Sequence, residues 1–204
     1  HSAAPLAPWS MGALVGDAEA VIDFFGIRDA VMVGMSMGGL VAQGLAVKRL
    51  DLVRGLVLSN TAARIGSPTQ WTARAAQARD GGMEAVADDL LMRWFSRDAR
   101  ARGLDADWRP RLLACNAESY AATCEALSGA DFYTTTSGLR LPVLGIAGSE
   151  DGSTPPDLIR ETVDLVPGSR FHLIRRQGHV PVIEDPAGYG ALLTGFLRDI
   201  GHIR

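Results

Sequence analysis

The sequence has little that would direct the protein to a nucleic acid, a membrane or a secretory route. Its 20 lysines and arginines stand against 23 aspartates and glutamates, and no basic run or basic helix face offers a surface for nucleic acid or anionic lipid. No apolar run approaches the roughly 18 to 20 residues needed to cross a bilayer, and residues 1–8 lack the features of a signal peptide. These absences predict a cytoplasmic protein that binds neither nucleic acid nor membranes.

Cysteine is also scarce, and the usual signatures of metal and nucleotide sites are missing. The two cysteines, Cys115 and Cys124, form no disulfide framework and lie in helix-like stretches, so we expect small buried residues with free thiols. Cysteines and histidines lack the paired spacing of a metal site, and there is no Walker-type phosphate loop. The glycine cluster at residues 34–39 lacks the spacing of a dinucleotide-binding loop.

What is present is the pattern of one globular domain in which helices and strands alternate. A chain of 204 residues that is 47% apolar can bury one sizeable core. Strand-like apolar runs begin at Ala30, Gly55, Pro142 and Arg170, and segments with helical periodicity lie between them. The last of these strands is expected to end at Ile174, and the helix after the glycine cluster to run from about Leu40 to Val47. Alternation of this kind predicts a mostly parallel sheet with helices on both faces.

A helical block interrupts this alternation. Residues 61–137 contain helix-like segments and no strong strand, which indicates an insertion that covers one end of the sheet. We therefore predict a core formed by residues 1–60 and 138–204 and a helical cap formed by residues 61–137. A single helix, capped by Ser10, precedes the first central strand, so we expect the native protein to have further N-terminal strands.

The first candidate site is the segment Gly34-Met35-Ser36-Met37-Gly38, which has the spacing of a nucleophile elbow. In an elbow, a serine occupies a strained turn between a strand and a helix, and glycines two residues to either side let the two elements pass closely. A bare G-x-S-x-G string arises readily by chance. The apolar strand before it and the helix after it favour Ser36 as a nucleophile over a serine that merely caps the helix.

A nucleophilic serine needs a base, and His179 is the best of the four histidines. His1 and His202 lie near the termini, where side chains are seldom held in place. His172 lies inside a strand pattern. His179 follows that strand and precedes the last helix, at the edge of the sheet where open α/β folds place their chemistry.

The acid that orients this histidine is expected between the serine and the histidine in the chain. The turn after the strand that ends at Ala147 supplies two acids, of which we choose Asp151, with Glu150 as the alternative. The other available position, after the strand that ends at Leu58, offers Asn60 and no acid. A carboxylate is needed because it fixes the imidazole tautomer and stabilises the imidazolium.

Beyond these motifs, several segments are similar to those of a known family. They are residues 34–39, 56–66, 70–74, 93–95, 151–156 and 178–179, with Glu184 beyond. Over essentially its whole length the chain resembles the α/β-hydrolase superfamily and, more narrowly, the 3-oxoadipate enol-lactonases of bacterial aromatic-compound degradation. The stretch 60–66 is the most specific, because triad motifs are common to many hydrolases.

The resemblance implies hydrolysis of a small cyclic enol ester to an open-chain keto acid, by an acyl-enzyme route and without a cofactor or a metal. It implies an oxyanion hole to which the backbone N–H of Met37 contributes. The family's N-terminal strands, with the loop that supplies a second donor, have no counterpart in this sequence. A carboxylate on the substrate needs a cation or an amide donor, and the candidates in the cap are Trp71, Arg74, Arg93 and Trp94.

Two alternatives stay open at this point. The same scaffold carries general carboxylesterases, other lactonases and carbon–carbon bond hydrolases, and the triad does not separate them because specificity lies in the cap. The second alternative is a non-catalytic receptor for a small molecule. Retention of Ser36, Asp151 and His179 together argues against a receptor.

Overall fold

The computed structural model describes residues 9–204. The predictions made for His1 and for residues 1–8 lie outside the described residues. The described residues form one four-stranded sheet in the order β1-β2-β3-β4, and every strand pairing is parallel. The predicted parallel sheet is therefore confirmed. Its strands are β1 Ala30–Met35, β2 Val53–Ser59, β3 Val143–Gly148 and β4 Arg170–Ile174.

Helices connect the strands. Within residues 9–204, none of them is both long enough and apolar enough to cross a membrane. Helix α1 begins after Ser10, whose side chain accepts a hydrogen bond from the N–H of Ala13, as the sequence predicts. The helices are α1 Met11–Phe24, α2 Met37–Lys48, α3 Pro68–Gly81, α4 Glu84–Trp94, α5 Arg97–Ala101, α6 Arg109–Leu113, α7 Ala117–Ser128, α8 Tyr133–Ser137, α9 Pro156–Asp164, α10 Pro181–Glu184 and α11 Pro186–Asp199.

Alternate side chains of β2 pack against helices on opposite faces of the sheet. Leu56 and Leu58 lie in a cluster with apolar residues of α1, α2 and α9. Val57, between them, packs instead with residues of α11. Successive residues of a strand point to opposite faces, so a strand buried on both sides is apolar throughout. The prediction of helices on both faces is confirmed.

The chain between β2 and β3 forms the six helices α3–α8, and no strand is described there. These helices have an apolar cluster of their own, built around Leu90, Leu91 and Phe95. The cluster also includes Val180, and Met35 packs against it. Since these two residues adjoin His179 and Ser36, the helical insertion packs directly beside the candidate site.

The two cysteines differ in environment. Cys124 lies in α7 and is buried, as expected, whereas Cys115 is exposed. The prediction that Cys115 is a buried residue of a helix is wrong, because α6 ends at Leu113 and Asn116 caps the start of α7. Cys115 therefore lies in the turn between α6 and α7. Both thiols are free.

Candidate active site

Ser36 occupies a strained turn between β1 and α2. Its backbone angles are φ 53° and ψ −125°, in a region that non-glycine residues seldom adopt and that costs about 1–3 kcal/mol. Two contacts hold the turn: the Ser36 N–H donates to the carbonyl of Ser59 at 3.0 Å, and Thr61 Oγ1 donates to the Ser36 carbonyl at 2.6 Å. The Ser36 side chain makes no capping hydrogen bond to α2, so its hydroxyl does not serve as a helix cap.

The close approaches at this turn occur at Gly34 and Gly39. A Cβ on Gly34 would lie 2.3 Å from the carbonyl oxygen of Gly38, and a Cβ on Gly39 would lie 2.5 Å from the side chain of Thr61. A Cβ on Gly38 would meet no described atom within 4 Å. The expectation of a close approach at both flanking glycines thus holds for Gly34, whereas Gly38 contributes its backbone carbonyl to the contact.

Helix α2 begins at Met37, three residues before the predicted start at Leu40, because the elbow passes directly from the strand into the helix. The N–H groups in the first turn of a helix have no carbonyl partner within that helix, and the helix dipole favours negative charge there. The Met37 N–H is therefore well placed along the chain to bind an oxyanion beside Ser36.

Asp151 and His179 form a buried hydrogen-bonded pair. Asp151 Oδ2 lies 2.8 Å from His179 Nδ1, and the two side chains are 0% and 4% exposed. In the neutral imidazole this contact places the proton on Nδ1, which leaves Nε2 able to accept one. The ring of Trp94 is stacked on that of His179, with centroids 6.4 Å apart and planes inclined by 27°.

The carboxylate of Asp151 accepts four hydrogen bonds besides that from His179. Its Oδ1 accepts from the N–H groups of Ser153 at 2.8 Å and Thr154 at 2.9 Å. Its Oδ2 accepts from Thr154 Oγ1 at 2.8 Å and from Asn60 Nδ2 at 2.9 Å. Burial raises the pKa of Asp151. The hydrogen bonds and the nearby His179 lower it by more than burial raises it, so the pKa lies below its ordinary value.

Glu150, the alternative acid, interacts with Arg97 instead of His179. Its Oε2 accepts from the Arg97 N–H at 3.0 Å, and the Arg97 guanidinium lies 3.4 Å away. These bonds, the backbone one foremost, lower the pKa of Glu150. The geometry thus places Asp151, and not Glu150, against the histidine.

Asn60 lies between the candidate residues, although the sequence was interpreted there only as a position without an acid. It is fully buried and has φ 48°, a conformation that asparagine tolerates better than most residues. Its Oδ1 accepts from Ser59 Oγ at 2.9 Å, while its Nδ2 donates to Asp151 and, at 3.2 Å, to the Gly178 carbonyl. One amide thereby joins the loops that follow β2, β3 and β4. The sequence feature that could have indicated this role is a polar asparagine placed directly after a buried strand.

Three of the predicted cap residues are held by neighbours within the cap. Trp71 Nε1 donates to the Ile65 carbonyl at 2.5 Å. Arg74 and Arg93 both bind Asp89, at 2.9 and 3.0 Å, and Arg74 also lies over the Trp71 ring at 5.7 Å. Two guanidinium groups sharing one carboxylate leave an excess of one positive charge in this cluster.

Away from this site, the described residues offer little that resembles a second one. Two surface clefts, of about 550 and 310 Å³, are lined chiefly by residues 140–143 with 167–170 and by residues 9–12 with 125–132. None of the three candidate catalytic residues lines either cleft. In the part of the chain that the structure describes, no three His, Cys, Asp or Glu side chains are grouped to hold a metal ion.

A serine on a strained strand-to-helix turn and a buried aspartate–histidine pair, all at the carboxyl ends of parallel strands, are features of serine hydrolases of the α/β class. Residues 1–192 match the alpha/beta hydrolase family. The chain belongs to that family.

Individual relatives narrow the resemblance to lactonases and esterases. The 3-oxoadipate enol-lactonase 2 of Acinetobacter baylyi is 35% identical, over 97% of this chain and 74% of the relative. The crystal structure of the enol-lactonase from Burkholderia xenovorans LB400 is 36% identical, with a TM-score of 0.91 over 97% of this chain and 76% of that one. A thermophilic esterase from Thermogutta terrifontis is 25% identical, with a TM-score of 0.88 over 95% and 74%. The resemblance to enol-lactonases is confirmed.

Proposed function

We propose that this protein is a serine hydrolase that opens 3-oxoadipate enol-lactone to 3-oxoadipate, in the cytoplasm and as a step of aromatic-compound catabolism. The observation that carries the hydrolase assignment is the 2.8 Å contact between Asp151 and His179, at the same edge of the sheet as the strained turn of Ser36. The similarity to the enol-lactonases of Acinetobacter and Burkholderia supports the choice of substrate.

In this mechanism Ser36 is the nucleophile and His179 the general base. Ser36 Oγ attacks the lactone carbonyl carbon and gives its proton to His179 Nε2, while Asp151 stabilises the imidazolium. The oxyanion of the tetrahedral intermediate binds the Met37 N–H. The ring C–O bond then breaks, and the enolate oxygen takes the proton from His179 to give an enol that tautomerises to the ketone.

Water completes the reaction. The ring-opened substrate remains attached to Ser36 as an acyl-enzyme, so no fragment has left at this stage. His179 removes a proton from a water molecule, which attacks the acyl carbonyl. The intermediate then releases Ser36, which recovers its proton from His179. The product is a keto acid with two carboxylates, and the enzyme returns to its starting state.

We assign substrate recognition to the helical cap of residues 61–137. A substrate with a carboxylate is attracted by a local excess of positive charge, which Arg74 and Arg93 provide around Asp89. Trp94, stacked on His179, supplies an apolar wall next to the base. Trp71 orients Arg74 through the contact of its ring with the guanidinium.

The first test compares the protein with its Ser36→Ala variant and, as a control, Ser137→Ala, which removes an exposed hydroxyl. The loss of enol-lactone absorbance is followed over time. We expect rapid turnover by the wild type and by Ser137→Ala, and a loss of about 10⁴-fold or more in Ser36→Ala, as for other triad serines.

Two other results would change the assignment. If the lactone is left intact while a simple activated ester is cleaved through Ser36, the enzyme is an esterase, the alternative that the similarity to the Thermogutta esterase supports. If neither compound reacts and a fluorophosphonate fails to label Ser36, the serine-hydrolase proposal is wrong and a small-molecule receptor takes its place.

A further inference from the structure

The proposed mechanism makes no use of Glu184, a carboxylate buried next to the histidine loop. Glu184 is the last residue of α10 and is 6% exposed. Its Oε1 accepts hydrogen bonds from the N–H groups of Gly178 and Ser96, each at 3.1 Å. Its Oε2 accepts from Ser96 Oγ at 2.6 Å. One side chain therefore binds both the residue before His179 and a residue of the helical insertion.

Ser96 connects this carboxylate to the cap. It is 1% exposed, and its Oγ also accepts from the N–H of Ala99, which caps α5. Two residues before it, the Trp94 carbonyl accepts from the His179 N–H at 2.8 Å. Residues 94–96 are thus bonded to residues 178–179 both directly and through Glu184.

The packing at Gly178 leaves no room for a side chain. A Cβ on Gly178 would lie 2.5 Å from the Trp94 carbonyl oxygen, 2.7 Å from Glu184 Oε1 and 2.7 Å from the Ser96 nitrogen. Contacts this short require glycine, because real Cβ atoms essentially never come so near. The backbone that carries His179 therefore lies directly against both the cap segment and the carboxylate.

We propose that Glu184 is a positioning residue of the active site. By binding Gly178 it fixes the backbone from which the His179 ring projects, and by binding Ser96 it fixes the segment from which the Trp94 ring stacks on that histidine. Misplacement of a catalytic group by about 1 Å can slow a reaction about a hundredfold. The inference rests on the proposed function, because it takes His179 as the base.

The test compares three substitutions. Glu184→Ala removes all three hydrogen bonds. Glu184→Gln keeps an oxygen for the two N–H groups, and its amide can donate to Ser96 Oγ, which has a second lone pair. The control is Asp185→Ala, which removes the neighbouring carboxylate that caps α11 through Gly188 and touches neither Gly178 nor Ser96.

Rates are measured per active site, by titration with a fluorophosphonate followed by hydrolysis of an activated acetate ester. We expect Glu184→Ala to react roughly ten- to a hundredfold more slowly, Glu184→Gln to react at close to the wild-type rate, and Asp185→Ala to lose thermal stability without losing rate. In histidine-labelled protein, we expect the low-field resonance of the His179 Nδ1 proton to be lost in Glu184→Ala and kept in the other two.

A Glu184→Ala variant that folds, reacts at the wild-type rate per site and keeps the His179 resonance would overturn the proposal. If that variant does not fold, Glu184→Asp is measured in its place. It keeps the charge but moves the acceptor oxygens back by about one carbon–carbon bond length, and a wild-type rate with a retained His179 resonance would again overturn the proposal. The proton resonance is read without turnover. It therefore tests the positioning role even if the wild type hydrolyses nothing and the proposed function fails.

Discussion

At the scale of single residues, the amide of Asn60 provides a sharp test of how the acid is held. We expect Asn60→Gly to lower kcat about tenfold to a hundredfold. A hydrogen bond to a charged group contributes about 1.5–3 kcal/mol, and each 1.36 kcal/mol of barrier is tenfold in rate. Glycine is chosen because it accepts the φ of 48° without strain. The measurement is ester hydrolysis per titrated site.

Asn116→Gly is the matched control for this substitution. Asn116 is an exposed asparagine that caps α7, where glycine costs only a few tenths of a kcal/mol. We expect its kcat to equal that of the wild type. An undiminished kcat in Asn60→Gly would mean that the remaining bonds to Asp151 suffice to hold the acid.

Asp151 also makes the stability of the protein depend on pH. Burial raises its pKa, but hydrogen bonding and charge from His179, with the bonds from Asn60 and Thr154, bring it below the ordinary 3.8. Because the folded pKa is the lower one, Asp151 contributes stability that is fully present above pH 3.8 and is lost as the pH falls through the folded pKa. The free energy of unfolding is measured with urea from about pH 5 to about pH 2. We expect it to fall less steeply with decreasing pH in Asp151→Asn than in the wild type.

Glu150→Gln is the control for Asp151→Asn, and its stability is measured over the same pH range. The pKa of Glu150 is also lowered, but its carboxylate is partly exposed, so solvent screens its interaction with Arg97. We expect its stability profile to follow that of the wild type closely. A profile of Asp151→Asn parallel to the wild type would contradict the lowered pKa of Asp151.

At the scale of elements, the two glycines of the G-x-S-x-G pattern differ in how much they matter to the elbow. Backbone packing requires a glycine at position 34 but leaves room for a side chain at position 38. We expect Gly34→Ala to slow fluorophosphonate labelling of Ser36 and to destabilise the fold by about 1–3 kcal/mol, because its Cβ would collide with the Gly38 carbonyl. The Cβ that Gly38→Ala adds would meet no described atom within 4 Å. This variant should label normally and gain up to about 1 kcal/mol from helix propensity. Equal labelling rates in the two variants would refute this distinction.

The regular elements could be predicted because their signals are local. The predicted strand from Arg170 to Ile174 is β4 to the residue. None of its side chains is fully buried, and the local signal was the presence of Phe171 and Ile174, which belong to the residue types enriched in strands. The start of α2 was placed three residues late, because apolar periodicity begins at Leu40 whereas the helix begins at the elbow. Cys115 was misplaced because a short turn between two helical segments leaves little trace in periodicity.

The candidate site was predictable only in part, because some of its contacts have local signals in the sequence and others do not. Ser36, Asp151 and His179 each follow a strand, and the carboxyl ends of parallel strands meet at one edge of the sheet. Asn60 and Asp151 are 91 residues apart, and Ser96 and Glu184 are 88 apart. The first contact depends on β2 and β3 being neighbours in the sheet, and the second depends on how the helical insertion packs beside the histidine loop. No local sequence pattern encodes either arrangement.

At the scale of the whole molecule, the helical insertion between β2 and β3 meets the sheet next to Asp151 and His179. The carbonyls of Arg93 and Trp94 accept from the N–H groups of Gly152, at 3.1 Å, and of His179, at 2.8 Å. The end of α4 is thereby bonded to the loop of the acid and to the loop of the base. Under the proposed function, with substrate recognition in the cap and catalysis at the sheet, these two bonds predict that a shift of the cap also moves both loops.

Two tryptophans of the cap allow this coupling to be tested. Trp94 and Trp108 are both partly buried against the same apolar cluster, but Trp94 is stacked on His179 whereas Trp108 lies beneath the guanidinium of Arg111. We expect Trp94→Ala and Trp108→Ala to lose comparable stability in thermal unfolding. Only Trp94→Ala should lower kcat/KM for the lactone, by roughly two- to tenfold, since an aromatic pair contributes about 0.5–1.5 kcal/mol.

The comparison is made with two substrates at a temperature where both variants are fully folded. If Trp94 acts on the histidine, the activated acetate ester slows together with the lactone in Trp94→Ala. If it acts as a wall of the lactone site alone, only the lactone slows, chiefly through KM. Equal kinetic losses in Trp94→Ala and Trp108→Ala would instead mean that the cap affects the reaction through its overall packing, and that the stacking of Trp94 on His179 has no separate role.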